Sequence, residues 1–215
     1  MQIRVVRPDT HDWSKSIALV REKYRRTFKA EVNPNPDCFV ACMQQDESGE
    51  RTPLAVAGIT FTESRKLFSE QYLNAPVEQL ISRMEGRVVP REAVVEVGSL
   101  ASSRFQSGTE LVRSLPIMCW CMGKRYILFT ATKQLRNLLD KLEYEFNPLH
   151  VADADTLDES TLKRWGNYYE HMPVTGYLCL TRTASDFASQ TGRYRFDNLV
   201  VNLNKQAEEE PYAMA

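Results

Sequence analysis

The chain has 215 residues, of which 43% are hydrophobic and 26% are charged, and its formal net charge is −1. This length supports one sizeable hydrophobic core, and the near-neutral charge provides no basic field for binding nucleic acid. The sequence shows neither the apolar stretch of a secretory signal nor an apolar run of the roughly 18 residues that cross a membrane. We therefore expect a globular protein without a transmembrane segment that is cytoplasmic or is exported by a route that the sequence does not show.

The cysteines are five in number, and this odd count without a secretory signal favours reduced thiols. Cys119 and Cys121 are two residues apart, so on a helix they point to different sides and make a poor metal pair. The cysteines are therefore predicted to pack in the core, and no metal site is predicted.

The first predicted elements are a strand and a helix. Residues 3–7 are predicted to form the strand, and the helix begins near Asp12 or Ser14. Its apolar residues recur at spacings of three and four, which places them on one face. These residues are Trp13, Ile17, Val20, Tyr24 and Phe28.

A hairpin is predicted next. The run Asn33-Pro-Asn-Pro-Asp breaks the chain, and residues 38–43 and 54–61 have the apolar composition of two strands. The segment 44–53 between them contains Asp, Ser, Gly and Pro, which is typical of a hairpin loop.

The segment 67–84 predicts a helix with a turn at Asn74-Ala-Pro and an end at Gly86. The strand 94–101 follows it. That strand is apolar except for a carboxylate in its middle, Glu96, and small polar residues end it.

The next elements alternate between helix and strand. A helix is predicted over residues 109–122, and Pro116 must kink or split it. The apolar strand 126–131 leads to Thr132, which is a predicted N-cap for the helix 133–142.

Two further strands are predicted at residues 177–181 and 196–203, and the acidic end 206–215 is predicted to be a flexible tail. Hairpins mixed with strand–helix–strand units indicate an α/β fold, in which a mixed sheet carries helices on its faces. We expect residues 1–205 to form a single domain.

Several segments together resemble an acyltransferase family. The middle of the chain resembles enzymes of the GCN5-related N-acetyltransferase superfamily, and nearly the whole chain is similar to the thermostable hemolysin family. That family is itself similar to acyl-homoserine lactone synthases and to enzymes that make N-acyl amino acids. The resembling segments are REKYRRTF (21–28), SEQYLNAPVEQLIS (69–82), VEVGSLAS (95–102), LFTATKQLRNLLDKL (128–142) and WGNYYEHMP (165–173).

The resemblance implies a central twisted mixed sheet with a bulged fourth strand and helices on both faces. In the superfamily, the loop after that strand holds the pyrophosphate of the donor with backbone N–H groups. The related synthases place a Glu-x-Ser-Arg run on this strand. Here Glu96 matches the Glu, whereas Gly98 and Ser99 stand at the Ser and Arg positions.

The chemistry that the resemblance implies is attack of an amine on a thioester. The thioester carbonyl must be polarised, and the amine must lose a proton to a nearby acceptor. Glu96 is the predicted base, because its apolar neighbours predict burial, and burial raises the pKa of a carboxyl group. The alternative is that Glu96 faces solvent from an alternating strand.

The run RFQSGT (104–109) is the predicted phosphate loop, at the start of a helix whose N-terminus favours an anion. The superfamily has glycine or alanine where Ser107 and Thr109 stand, so a plain strand–helix turn is the alternative. The resemblance implies acyl-CoA or an acyl-carrier protein as the donor, and no tightly bound cofactor is expected. An acyl-carrier protein would need less of a pyrophosphate site than acyl-CoA. The predicted donor-binding residues are Leu100, Ala101, Arg104, Phe105, Gln106, Ser107, Gly108, Thr109, Thr132 and Asn137.

Two groups of residues complete the predicted site. Leu139 stands where the superfamily often has a tyrosine acid, so Tyr168 and Tyr169 are candidates for the catalytic acid, with loop packing as the alternative. An acceptor or acyl pocket is predicted beside them, although simple packing on the sheet would use the same side chains. The residues predicted for this pocket are Gln71, Tyr72 and Trp165.

The sequence thus predicts an N-acyltransferase that moves an acyl group, of long-chain type, from a thioester to a small-molecule amine or an amino acid. One alternative is a protein that lyses membranes directly, as the family name states. Another is a binding module of the same fold without activity. The oligomeric state stays open, and a homo-oligomer is among the alternatives.

Overall fold

The computed structural model describes residues 1–183 together with Arg193 and Arg195. Residues Met1–Ala184 form one compact unit. The predicted strand 196–203 and the predicted tail 206–215 lie outside the described residues, so the single domain over 1–205 stays a prediction.

As far as the helix that begins at Lys133, the strands and helices follow the order that the sequence predicts. The strands are β1 (Gln2–Val6), β2 (Cys38–Gln45), β3 (Arg51–Phe61), β4 (Val94–Ser102), β5 (Tyr126–Ala131), β6 (Asn147–Val151) and β7 (Val174–Cys179). The α-helices are α1 (His11–Phe28), α2 (Val77–Glu85), α3 (Phe105–Cys121), α4 (Lys133–Lys141) and α5 (Glu159–Arg164). Short 3-10 turns occur at Phe68–Tyr72, Arg91–Ala93, Ala154–Thr156 and Tyr168–His171.

The strands form one mixed sheet in the order β1-β2-β3-β4-β5-β7-β6. β4 and β5 are parallel, and the other neighbours are antiparallel. Strand β2 is buried on both faces, which explains its continuous apolar sequence. Its residues Val40 and Cys42 pack with α3 and α4, whereas Phe39 and Ala41 pack with α1. The predicted mixed sheet with helices on both faces is confirmed.

The predicted bulge in the fourth strand is also confirmed. Gly58 pairs with Gly98 and Val56 pairs with Ala101, so β4 has one residue more than β3 over this stretch. Ser99, inside the bulge, has a left-handed φ of 50°. A bulge bends its strand and increases the local twist, and β4 stays paired with β5 only as far as Glu96 opposite Leu128. The sheet therefore opens between these two strands.

Helix α3 begins earlier than predicted. The run 104–109, predicted to be a loop, forms the N-cap and first turn, and Gly108 N–H donates to the Arg104 carbonyl (3.1 Å). Ser107 is buried, and its hydroxyl donates to the carbonyls of Arg104 (3.0 Å) and Leu54 (3.3 Å). Of the kink or split predicted at Pro116, the split does not occur, because the helix continues through this residue.

The predicted helix 67–84 is two elements, the 3-10 turn Phe68–Tyr72 and α2, separated at the predicted Asn74-Ala-Pro turn. The reason is the buried carboxylate of Glu70. It accepts the N–H groups of Leu67 (3.0 Å) and Val77 (3.3 Å), which holds the chain in a turn between them.

Other boundaries also differ. Strand β6 and helix α5 were not predicted, and β7 begins at Val174 instead of residue 177. The hairpin loop is shorter than 44–53, since Pro53 pairs with Met43 beside a register shift in β3.

Cys121 is exposed, so the prediction of core packing is wrong for this residue, whereas the other four free cysteines are buried. Within the described residues, no helix has both the length and the apolar character needed to span a bilayer.

The segment after α5 is held against the end of α1 by the backbone. Asn167 N–H donates to the Phe28 carbonyl (2.8 Å), and Glu31 N–H donates to the Arg164 carbonyl (2.7 Å). Between them, Gly166 has a φ of +55°, and a Cβ there would overlap the Phe28 carbonyl oxygen. Close approach of the two segments therefore requires glycine.

We predict that Gly166→Ala lowers the melting temperature more than Gly86→Ala does. Gly86 also has a positive φ, of +65°, but a Cβ at that position would have no atom within 4 Å. Gly86→Ala should therefore cost only the left-handed strain of about 1–2 kcal/mol, whereas Gly166→Ala adds a backbone clash. Equal shifts of the two variants in thermal unfolding would contradict the close approach at Gly166.

Candidate active site

Two cavities meet where β4 and β5 separate. The α5 cavity has a volume of about 510 Å3 and lies between the loop 31–36, residues 65–69 and helix α5. The α4 cavity has a volume of about 380 Å3 and lies between α1, the start of α3 and α4. The residues that line both cavities are Tyr24, Val97, Gly98, Ser99, Thr130 and Tyr168. The two cavities are therefore adjacent.

Glu96 lies in the wall of the α5 cavity with only 6% of its surface exposed, so its predicted burial is confirmed. Its Oε2 accepts the N–H of Phe68 (2.8 Å). Its Oε1 accepts the N–H of Ser69 (2.8 Å) and the hydroxyl of Ser69. Burial raises the pKa of the Glu96 carboxyl group, and the hydrogen bonds from Ser69 and Phe68 only partly oppose this rise. The ionised Glu96 carboxylate therefore takes up a proton more readily than an exposed glutamate does.

Hydroxyl groups continue from Glu96 toward the wall that both cavities share. The Ser69 Oγ lies 2.7 Å from the Oγ1 of Thr130, which lies 2.9 Å from the Oγ1 of Thr175. Tyr168 donates its hydroxyl to the Thr130 carbonyl (3.1 Å). Residues of β4, β5, β7 and two 3-10 turns thus form one hydrogen-bonded group.

The α4 cavity brings together most of the predicted donor-binding residues. Those that line it are Leu100, Ala101, Phe105, Gly108, Thr109, Thr132 and Asn137. Arg104 and Gln106 are exposed and lie outside the lining, and the Ser107 side chain is directed to backbone carbonyls instead. Thr132 is the N-cap of α4, as predicted, and accepts the Leu135 N–H.

The mouth of the α4 cavity favours an anion. The N–H groups of residues 105–107 precede the first hydrogen bond within α3, so they have no acceptor inside the helix. Among the described residues, the charged side chains of the lining are Lys23 and Lys141, which are both cationic. Gly108 permits close contact with β4, because a Cβ there would lie 2.8 Å from the Ser102 hydroxyl.

The α5 cavity has a charged rim and an aromatic wall. Arg65 is anchored by Asp37 (2.6 Å) and the Asn35 carbonyl (2.8 Å), and it lies in the lining with Lys66 and Arg164. The carboxylates of the lining are those of Glu31 and Glu96. The aromatic residues of the wall are Tyr24, Phe68, Trp165 and Tyr168. Such a cavity can bind a molecule that has both an amine and an anionic group.

The predicted acid and acceptor residues fall at different places. Tyr168 lines both cavities, and Trp165 lines the α5 cavity. Tyr169 and Tyr72 line neither, and their hydroxyl groups lie 2.6 Å apart. Gln71 donates its side-chain amide to the Phe68 carbonyl (2.9 Å), outside both linings. Burial raises the pKa of Tyr168 well above its ordinary value, so this phenol keeps its proton.

The sequence interpretation missed Ser69 and Thr130, which connect Glu96 to the shared wall. Both residues lie in resembling segments, but only the packing of the 3-10 turn Phe68–Tyr72 against β5 shows that their side chains meet. Leu139, at the position of the superfamily tyrosine, is fully buried in the core, so no phenol reaches the cavities from there.

This fold is shared with acyl-transferring synthases. Three solved structures share it. The N-acyl amino acid synthase FeeM from uncultured soil microbes matches with 11% identity and a TM-score of 0.54, over 86% of this chain and 98% of its own. The CoA-dependent acyl-homoserine lactone synthase BjaI matches with 10% identity and a TM-score of 0.54, over 88% of this chain and 89% of its own. The acyl-homoserine lactone synthase LasI matches with 10% identity and a TM-score of 0.53, over 83% of this chain and 89% of its own.

The chain belongs to the thermostable hemolysin family, whose model matches residues 6–183. No curated protein sequence matches the chain. The sequence identities to the three synthases are too low for their substrates to be assigned to this chain. These matches therefore establish the fold alone.

We predict that the stability difference between the native protein and Glu96→Gln depends on pH. Because the fold raises the pKa of Glu96 above 4.5, this residue stabilises the folded state most at acid pH, and its contribution is lost as pH rises through the raised value. The advantage of the native protein over Glu96→Gln should therefore shrink from pH 4.5 toward neutrality in denaturant titrations.

Glu63→Gln is the matched control. Partial burial opposes the shift, but the hydrogen bond from Lys124 holds the pKa of Glu63 below its usual value. The advantage of the native protein over this variant should grow as pH rises, with the opposite sign. The same pH trend for both variants would contradict the raised pKa of Glu96.

Proposed function

We propose that the protein is an N-acyltransferase that joins the acyl group of a thioester to the amine of a small molecule or an amino acid. The observation that carries this proposal is the meeting of two cavities at Gly98, Ser99 and Thr130. Aminolysis requires a nitrogen and a thioester carbon in contact without a covalent enzyme intermediate, and holding two reactants in this way supplies much of the catalysis.

The donor thioester would enter the α4 cavity. Lys23, Lys141 and the N-terminus of α3 suit the phosphate of a phosphopantetheine arm. The apolar inner wall suits the methylene groups of the arm and of a long acyl chain, and it consists of Leu111, Val112, Leu135 and Leu138. Acyl-CoA and an acyl-carrier protein both present this arm, and the donor is a substrate instead of a tightly bound cofactor.

The acceptor would bind in the α5 cavity. Its amine would lie near the shared wall, within reach of the proton acceptor Glu96. A carboxylate on the acceptor would pair with Lys66 or Arg164, which are exposed on the rim. This arrangement favours an amino acid over an amine without an anionic group.

The backbone of β4 would polarise the thioester carbonyl. A bulge takes groups of the extra residue out of the ladder, and β4 has no strand partner on its β5 side beyond Glu96. Donors that are already oriented toward the developing oxyanion stabilise the transition state. Between the two predicted acids, Tyr168 is preferred as a hydrogen-bond donor to the leaving thiolate, because it lines both cavities and Tyr169 lines neither. Its raised pKa means that it stabilises the thiolate without giving up its proton.

We predict that Gly98→Leu abolishes product formation without unfolding the protein. No atom lies within 4 Å of a Cβ built on Gly98, and this residue lines both cavities. A leucine should therefore extend into the space where the substrates meet, with a loss of about 100-fold or more. The measurement is mass spectrometry of acylated amines in cells that express the native protein, Gly98→Ala or Gly98→Leu.

The Gly98→Ala variant adds a single carbon, so it should lose much less product and serves as the matched control. A melting temperature of Gly98→Leu close to the native value confirms folding. A native level of a new acylated amine with Gly98→Leu would place the reaction elsewhere, and no new acylated amine with the native protein would remove the proposed function.

We also propose that haemolysis associated with this family arises from the lipid product. An N-acyl amino acid is an amphiphile with one polar group on one chain. We predict that the lipid extract of expressing cells lyses red cells, whereas purified lipid-free protein does not. Lysis in proportion to the concentration of lipid-free protein would contradict this origin.

A further inference from the structure

Thr130 occupies a distinctive place in the wall that both cavities share. If the proposed N-acyl transfer is right, the amine nitrogen and the thioester carbon meet against this wall. Tyr24, Ser99, Thr130 and Tyr168 bring hydroxyl groups to it. Among these four described residues, Thr130 is the one whose side chain connects through hydrogen bonds to a carboxylate, by way of Ser69.

The direction of these hydrogen bonds follows from counting protons. A hydroxyl group has one proton to donate and two lone pairs. Ser69 donates its proton to ionised Glu96, so it must accept the proton of Thr130. Thr130 in turn accepts the proton of Thr175 (2.9 Å), which is completely buried. One lone pair of the Thr130 oxygen remains for an N–H of the bound amine.

Direct access to Glu96 is restricted. Its Oε1 already accepts two hydrogen bonds from Ser69, and its Oε2 accepts one from Phe68. Glu96 lines the α5 cavity only, whereas Thr130 lines both. The carboxylate therefore lies behind the point where the substrates meet, and hydroxyl groups bridge the distance.

We propose that Thr130 and Ser69 form a hydroxyl relay that carries the proton of the acceptor amine to Glu96. This inference rests on the proposed N-acyl transfer. Thr130 is the catalytic residue of the relay, since it touches the amine, and Ser69 passes the proton on.

The relay balances in protons and electrons. As the N–C bond forms, the nitrogen proton passes to Thr130, the Thr130 proton to Ser69, and the Ser69 proton to Glu96. The C–S bond then breaks, the leaving thiolate takes up a proton from water, and Glu96 returns the relayed proton to water. The sum converts an amine and a thioester into an amide and a thiol, and an acceptor that arrives as an ammonium ion releases one further proton to water.

The charges around Glu96 set the pH range of the relay. Glu70, on the same 3-10 turn as Ser69, raises the pKa of Glu96 further, and the phenols of Tyr72 and Tyr168 lie close enough to interact with Glu96. The charged groups that share its cavity are Glu31, Arg65, Lys66 and Arg164. These groups are unchanged in variants of Ser69 and Thr130, so the variants isolate the relay.

The test compares Thr130→Val, Thr130→Ser and Ser69→Ala with the native protein. The probes are palmitoyl-CoA and palmitoyl-acyl carrier protein, each with a mixture of the twenty amino acids, and thiol release and amide product are both measured. Thr130→Val and Ser69→Ala should lower kcat by about 100-fold with KM changed only a few-fold. Thr130→Ser, which keeps the hydroxyl group, should retain kcat within a few-fold.

The pH profile separates proton transfer from a structural effect. Ser69→Ala removes a donor that stabilises the ionised Glu96, so its acid limb should move to higher pH. Thr130→Val does not remove a donor to Glu96, so its acid limb should stay near the native position. Melting temperatures show whether each variant is folded, and if Thr130→Val does not fold, Ser69→Ala decides the matter alone.

Each outcome has a defined meaning. Native activity in Ser69→Ala or Thr130→Val overturns the relay and leaves the N-acyltransferase intact. A Thr130→Ser variant as slow as Thr130→Val also overturns it, because the shape of the site would then matter instead of the hydroxyl group. No amide product from the native protein with either donor, in this assay and in expressing cells, overturns the proposed function and the relay with it.

Discussion

The parallel ladder between β4 and β5 ends at the pair Glu96–Leu128, and both cavities lie in the gap beyond that pair. The bulge at Ser99 causes the separation, since an extra residue in β4 bends the strand away from its neighbour. Without this gap the sheet would be continuous, and Thr130 would lie in an ordinary strand pair. The fold therefore has its substrate-sized space where its hydrogen-bond ladder is interrupted.

Two buried carboxylates lie close to this gap and have opposite pKa shifts. The pKa of Glu96 is raised by burial, whereas that of Glu70 is lowered despite its burial, because Arg91 and two backbone N–H groups hold its charge. Carboxyl groups whose environments move their pKa values apart have different roles. Glu70 stabilises the turn before α2, and Glu96, whose pKa is raised by burial, is left as the carboxylate that takes up a proton more readily.

Local sequence patterns were sufficient where neighbours along the chain determine the structure. The three-and-four spacing in α1, the Thr132 N-cap of α4 and the apolar run of β5 are of this kind, and all three agree with the structure. The start of α3 was missed because Ser107 is satisfied by the carbonyl of Leu54, which is distant in the sequence. Strand β6 is short, contains Pro148 and lies at the sheet edge, so its pairing with β7 has little local signature.

The sequence by itself determined the family resemblance, the mixed sheet with its bulged strand, and the burial of Glu96 inside an apolar run. Only the tertiary structure decided which groups surround that carboxylate. Ser69, Thr130 and Thr175 are far apart in the chain, and they meet because a 3-10 turn, β5 and β7 converge on one side of the sheet. Hydrogen bonds between side chains depend on distances of a few tenths of an ångström, and such distances follow from the packing of whole elements, which no local pattern specifies.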